Sequence, residues 1–311
     1  MFSHPWRGRI PAMLRSCCRL GVSGRCLPAT LMIGVCAVLT AAQQTPKPLA
    51  SPAPRVILLP PKVVAGAQAT LAVIDSQGRL LSNVEVDLTG GQKVTTDVTG
   101  RALFKAPGVP GSLIAKTTRA GITSSTRVVA SEDSDPRLTS PGPSGSAKVV
   151  SYPHVMAIHD RFALEGAGFR GAADSNHVSL NGDPCLVVAA SPVSLVVLPG
   201  PSVPVGDVTL EVTVAGTEAG QFPVSAVLLE ISGPSEAVNA GSVGKLFVRA
   251  RGSTEPLMLE VRNGSPGVIQ LSKGNIQRIK TSGGDENIAP VEVKFVSGGN
   301  YSVSARLISA W

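Results

Sequence analysis

The chain has 311 residues, room for two or three domains. Hydrophobic residues make up 43% and charged residues only 16%, against about 25% charged in an average soluble domain. That balance disfavours a disordered chain, a coiled coil and a highly charged nucleic-acid binder, while 33 Gly and 25 Pro mark a turn-rich chain.

Residues 1–42 read as an export signal. Arg7, Arg9, Arg15, Arg19 and Arg25 form a positive flank without acids, an apolar run follows from Leu27 to Leu39, and Thr40-Ala41-Ala42 supplies small residues for cleavage. Met13 is an alternative start. The run contains Pro28 and falls short of the roughly 20 residues of a spanning helix, which favours cleavage over an uncleaved anchor. No Arg-Arg pair marks the twin-arginine route, and Cys36 follows Val35, unlike a lipoprotein cysteine. Loss of this leader takes the net charge from +7 to +2, because it holds five arginines and no acid. The basicity is a targeting feature, and no nucleic-acid partner is expected. Cys185 alone of the five cysteines remains, so neither an internal disulfide nor a cysteine zinc site is available.

Residues 43–54, with Pro46, Pro48, Pro52 and Pro54, read as a stiff spacer. Beyond it the chain alternates apolar and polar residues with period two, the signature of half-buried strands. Val84, Val86 and Leu88 show it first, then Leu210, Val212 and Val214, then Leu257, Leu259 and Val261. Val291, Val293 and Phe295 follow, and last Tyr301, Val303, Ala305 and Leu307. Gly78, Gly90, Gly100, Gly111 and Gly121 punctuate the first stretch at the 8–12-residue spacing of a β-sandwich. The expected fold class is all-β: tandem Ig-like β-sandwiches after an N-terminal signal segment. The divisions fall at 55–130, 148–229 and 230–311, with a Pro/Ser/Gly linker at 131–147. The linker is expected to let the first sandwich swing. VLLEISGP (227–234) is expected to join the second to the third stiffly, with Gly233-Pro234 as the bend.

The stretches TLAVIDSQGRLLSNVEVDL (70–88), TTDVTGRALF (95–104) and GSLIAKTT (111–118) resemble the bacterial Ig-like domains of invasin- and intimin-type surface proteins; carboxypeptidase-regulatory-like domains share this look. DRFALEGAGFRG (160–171), VSLNGDPC (178–185), SPVSLVVLPG (191–200) and GDVTLEVTV (206–214) resemble an IPT/TIG domain, with His159 where a glycine is usual. Neither resemblance implies a fixed catalytic set. The third segment resembles no named family.

The search for chemistry returns little. His154, His159 and His177 fit no helical zinc motif, and Asp160 and Asp174 are their nearest acids in sequence; all read as turn and loop-edge residues. Gly166-Ala167-Gly168 reads as close backbone approach, not a phosphate cradle. Asn181-Gly182 signals a two-residue hairpin, which pairs Val178 with Cys185 and turns the thiol toward the core. Phe104, Phe162, Phe247 and Phe295 read as core, and Trp311 as a terminal plug. The sequons at Asn263 and Asn300 are taken as chance. No catalytic, cofactor or metal residue is assigned and no cofactor is expected. The expected function is a non-enzymatic secreted or cell-surface protein acting in adhesion, protein–protein contact or spacing. A protein or cell-surface ligand is its expected partner, and membrane attachment only through an uncleaved leader. The alternative is an extracellular carbohydrate-binding accessory module; a hydrolase with an unrecognised site is the third reading.

Overall fold

The computed structural model describes residues 53–130, 147–234 and 238–308. The leader, nearly all of the spacer and of the linker at 131–147, and Trp311 lie outside them. The described residues are all-β, with one short 3-10 turn at Ala173–Ser175 as their only helix.

The first sandwich comprises β1 (Pro54–Leu58), β2 (Lys62–Val64), β3 (Gln68–Asp75), β4 (Glu85–Leu88), β5 (Lys93–Thr95), β6 (Arg101–Lys105), β7 (Gly111–Thr117) and β8 (Thr123–Val129). One sheet runs β1-β3-β6 and the other β2-β8-β7-β4-β5. Ala69, Leu71 and Val73 of β3 meet Val86, Leu88, Leu113 and Ala115 in the core between them. Gly111 opens β7 rather than making a turn, whereas the other four glycines of the regular series adopt left-handed φ. Two of these sit in one loop used twice, Asp75-Ser-Gln-Gly78-Arg79 and Asp97-Val-Thr-Gly100-Arg101. In each, the aspartate Oδ1 accepts the backbone N–H two and four residues on, at 2.8 and 2.9 Å in the first loop and 2.8 and 3.2 Å in the second. A side chain on Gly100 would stand 2.6 Å from the Cβ of Leu80, so the close approach of these two loops requires glycine.

The second sandwich holds β9 (Lys148–Ser151), β10 (Val155–Ala157), β11 (Phe162–Ala167), β12 (Asn176–Leu180), β13 (Asp183–Ser191), β14 (Ser194–Leu198), β15 (Gly206–Val214) and the 16-residue β16 (Thr217–Ser232). Strand β13 changes sheets midway: Asp183–Cys185 pair with β12, and Leu186–Ser191 pair with β14. The hairpin register is Val178↔Cys185 and Leu180↔Asp183, with Asn181 and Gly182 both at positive φ, as the Asn-Gly turn requires.

The third sandwich holds β17 (Val243–Arg251), β18 (Met258–Asn263), β19 (Ile269–Leu271), β20 (Ile276–Lys280), β21 (Ile288–Phe295) and β22 (Val303–Leu307). It takes its first strand from β16, whose Leu228–Ser232 pair with β17. Along β16 the cores change over at one peptide: Val224 and Ala226 belong to the second core, Val227 and Leu229 to the third. Strand β10 lies parallel to β16 there and divides likewise, Met156 to one core and Ala157 to the other. A joint carried by two hydrogen-bonded strands is stiff, in line with its apolar sequence.

The joint between the first two sandwiches corrects the expectation of free swing. Leu58 and Ala72 of the first sandwich are buried against Val188, Ala189 and Val196 of the second, with Val56, Ile74, Leu80 and Leu198 around them. Burying each valine or leucine contributes about 1.5–3 kcal/mol. Where β1 ends, β13 takes its place beside β3 through a Thr70↔Ala190 bridge. Thr70 Oγ1 donates to the Gly171 carbonyl at 2.6 Å, and the fully buried Ser191 and Ser194 both donate to the Lys62 carbonyl, at 2.6 and 2.8 Å. Lys62 Nζ pairs with Glu165 at 2.9 Å. Linker composition cannot report on a docked face elsewhere in the fold.

Candidate functional site

Two concavities of the described surface bear on function. One is an open cleft of about 760 Å³ at one end of the first sandwich, floored by the 80–85 stretch and walled by Pro54, Thr95, Thr117 and Arg119. The other, of about 280 Å³, lies at the first joint and gathers more chemistry: Arg101 from the first sandwich, with Asp174, His177, Ser179, Cys185 and Glu211 from the second.

Arg101 reaches the joint because the loop Asp97–Arg101 ends at the first residue of β6. Its guanidinium meets the carboxylate of Asp174 at 2.7 Å, donates to the Val187 carbonyl at 3.1 Å, and donates from Nε to Thr99 Oγ1 at 3.0 Å. The arginine is buried while Asp174 is largely exposed. The cation is thus occupied in holding two sandwiches together. Also lining the groove, Ser179 donates to Glu211 at 3.0 Å across the β12–β15 pair.

His177 and Cys185 are near one another in the sheet but do not form a nucleophile–base pair. Cys185 lies opposite Val178 and packs half-buried against the second core, whereas His177 precedes Val178 and points to the other, exposed face. Burial pushes the Cys185 thiol up, and the Asp183 carboxylate adds to this against the Gly200 backbone N–H. A raised thiol holds little of the nucleophilic thiolate at neutral pH.

The remaining sequence candidates are scattered. His154 and His159 stand exposed at a bend and a turn, whereas His177 lies within β12 and not at a loop edge. Asp160 caps the backbone N–H of Arg161, far in role from the Asp174 ion pair. Among the described residues, no group of three His, Cys, Asp or Glu side chains is placed to hold a metal ion. A side chain on Gly166 would meet the Lys148 carbonyl at 2.2 Å, so this glycine lets β9 approach β11. The Asn263 amide is engaged with the Ile269 carbonyl at 2.7 Å. Phe104, Phe162 and Phe295 are core residues, but Phe247 is 43% exposed. Leu246, Val248 and Ala250 take the inward positions of β17, and strict alternation leaves Phe247 outside.

Sequence reasoning missed Arg101, and gave Asp174 only as a turn or loop-edge residue beside the histidines. The repeated Asp-x-x-Gly-Arg loop was the available signal, since Arg79 is spent on Asp75 within its own loop while Arg101 is not.

No protein-family model matches the chain, and no curated protein does. Solved structures similar to it include the Bacteroides ovatus mixed-linkage glucan utilization locus protein SGBP-B in complex with a mixed-linkage heptasaccharide. It is 12% identical, over 84% of this chain and 76% of that one, with a TM-score of 0.26. The plexin A4 extracellular region is also 12% identical, over 84% of this chain and 33% of its own, with a TM-score of 0.31. The surface layer protein SbsC, domains 1–6, is 14% identical, over 82% and 39%, with a TM-score of 0.20. The chain thus spans well under half of the latter two. No residue role or ligand is carried over from likenesses this distant. Among the described residues no helix is long and apolar enough to cross a membrane.

Proposed function

We propose that the chain is an exported, non-enzymatic protein of tandem Ig-like sandwiches, the first bacterial Ig-like or carboxypeptidase-regulatory-like and the second IPT/TIG-like. It works by holding outward faces and strand edges at fixed separations for adhesion, protein contact or spacing. The observation that carries this reading is the construction of the two joints. Hydrophobic burial, a strand bridge and two ion pairs lock the first joint, and a shared strand locks the second. Stiffness of this kind serves presentation of a surface. Of the polar groups gathered in the groove at the first joint, Arg101 and Asp174 are engaged with each other and hold the joint itself.

The test incubates the exported chain, fluorescently labelled, with intact cells and isolated envelopes of the organism that makes it, and separately with ester, glycoside and peptide substrates. Saturable binding without turnover is the expected result. Turnover that disappears on changing one polar residue would overturn the reading in favour of a hydrolase.

A further inference from the structure

Outside the joints, the outer face of the β20-β18-β22 sheet carries a marked excess of positive charge. Alternation turns Leu259, Val261, Ile279, Val303, Ala305 and Leu307 into the third core. Gln277 and Asn263 turn inward with them, and the remaining side chains of these strands face outward. Register sets them in three rows: Lys280 beside Met258; Arg278, Glu260 and Arg306; Ile276, Arg262 and Ser304. Neighbouring strands lie about 4.8 Å apart and successive rows about 6.8 Å apart. Four cations thus crowd round one carboxylate, a surplus of three, whereas the whole chain beyond the leader carries only +2.

The carboxylate is arranged to serve the cations. Glu260 is nearly covered, and it accepts from Arg262 Nε at 2.6 Å and from Arg306 Nε at 2.9 Å, both at Oε1. Each arginine is about half exposed and is held by its inner nitrogen, which leaves the outer fork of each guanidinium for bidentate contact with an oxyanion. Arg278 and Lys280 are exposed and have no ion pair among the described residues. The nearest acids in sequence, Asp285 and Glu286, fall in the turn beyond β20 and not on the face.

From this geometry we infer that the outer face of the β20-β18-β22 sheet binds an anionic polysaccharide, one carrying carboxylate or sulfate groups, through Arg262, Arg278, Lys280 and Arg306. The inference deepens the proposed function by naming the chemistry of a surface ligand, and it rests on that reading for the export of the chain. Charge complementarity selects a polyanion. The face holds Met258 and Ile276 but no aromatic ring, whereas single-stranded nucleic acids bind by stacking their bases on exposed aromatics. A flat strip of spaced guanidinium groups suits oxyanions spread along a saccharide chain.

The experiment measures binding of the exported chain to immobilised dextran sulfate, polygalacturonate and neutral dextran, to single-stranded DNA, and to phosphatidylglycerol vesicles, across a salt series. The expected result is salt-sensitive binding to the two anionic polysaccharides and none to dextran. Arg278→Glu with Lys280→Glu should weaken that binding about tenfold or more, and neither residue supports Glu260. Lys245→Glu with Lys294→Glu, an equal change of charge on the outer face of the opposite sheet, should leave it within about twofold. Circular dichroism of both variants must match the parent. Equal loss in the two variants, absence of polyanion binding at low salt, or tighter binding of DNA or vesicles would overturn the inference. Shortening of either polysaccharide, read by gel filtration, would instead overturn the non-enzymatic reading.

Discussion

Three carboxylates are held below their ordinary range, and each links a residue to stability. Burial of Asp75 pushes its carboxyl up, but the Arg79 and Gln77 backbone N–H groups and the Arg79 guanidinium together outweigh it. The Thr99 hydroxyl and nearby N–H groups lower Asp97, and Arg262 and Arg306 lower Glu260. A carboxylate lowered in the folded state stabilises it above the unfolded value of about 4, and that stabilisation is lost as pH falls through the folded value. The urea midpoint should therefore be flat from pH 7 to pH 5 and fall below about pH 4, and Asp75→Asn should lower the midpoint at pH 7 while blunting the acid-limb fall. The Arg101–Asp174 pair carries an asymmetry of its own. Asp174→Ala leaves a buried guanidinium with neutral acceptors only, and should cost about 1–3 kcal/mol. Arg101→Met leaves an exposed carboxylate and two neutral acceptors but no buried charge, and should cost less, as measured by urea unfolding.

At the scale of elements, the alternation that identifies most strands fails where both faces are covered. Strand β3 reads Thr70-Leu-Ala-Val-Ile-Asp75 without a polar break. Leu71 and Val73 enter the first core while Ala72 and Ile74 pack into the joint. Strands β13 and β14 carry the same mark, with Val188, Ala189 and Val196 in the joint and Val187, Ala190, Leu195 and Val197 in the second core. A continuous apolar run signals two-sided burial, so these segments held the docking surface in legible form. Its partner was not legible, since no pattern says which run meets which. Gly171 marks how closely they meet: a Cβ there would stand 2.1 Å from the Gln68 carbonyl. Gly171→Ala should therefore separate the first two sandwiches, costing about 1–3 kcal/mol. Small-angle scattering should show a larger radius of gyration, with circular dichroism unchanged.

For the whole molecule, the first joint decides how the chain responds to cutting. Proteolysis is expected to begin within 131–147, as the composition of that stretch suggests, and to leave 148–311 resistant. The buried joint adds that the two pieces should then stay together. Nicked protein should elute from gel filtration at the volume of the intact chain and separate only in denaturant. The same nick in Gly171→Ala should release the first sandwich. Dissociation of the nicked parent chain would show that the joint contributes less than its buried residues imply.

The sequence by itself determined the alternating stretches and, Tyr301 apart, which of their residues face inward, together with the Val178↔Cys185 register and the all-β class. Each rests on local alternation or turn chemistry, which acts over a few residues. Phe247 shows the limit, because hydrophobicity placed it inside while the register of its own strand placed it out. What only the tertiary structure decided are the relations between distant segments: Arg101 beside Asp174, Thr70 beside Gly171, and four cations around Glu260. Those depend on which sheet faces which, a choice settled by the summed burial of whole faces and by no single stretch of chain.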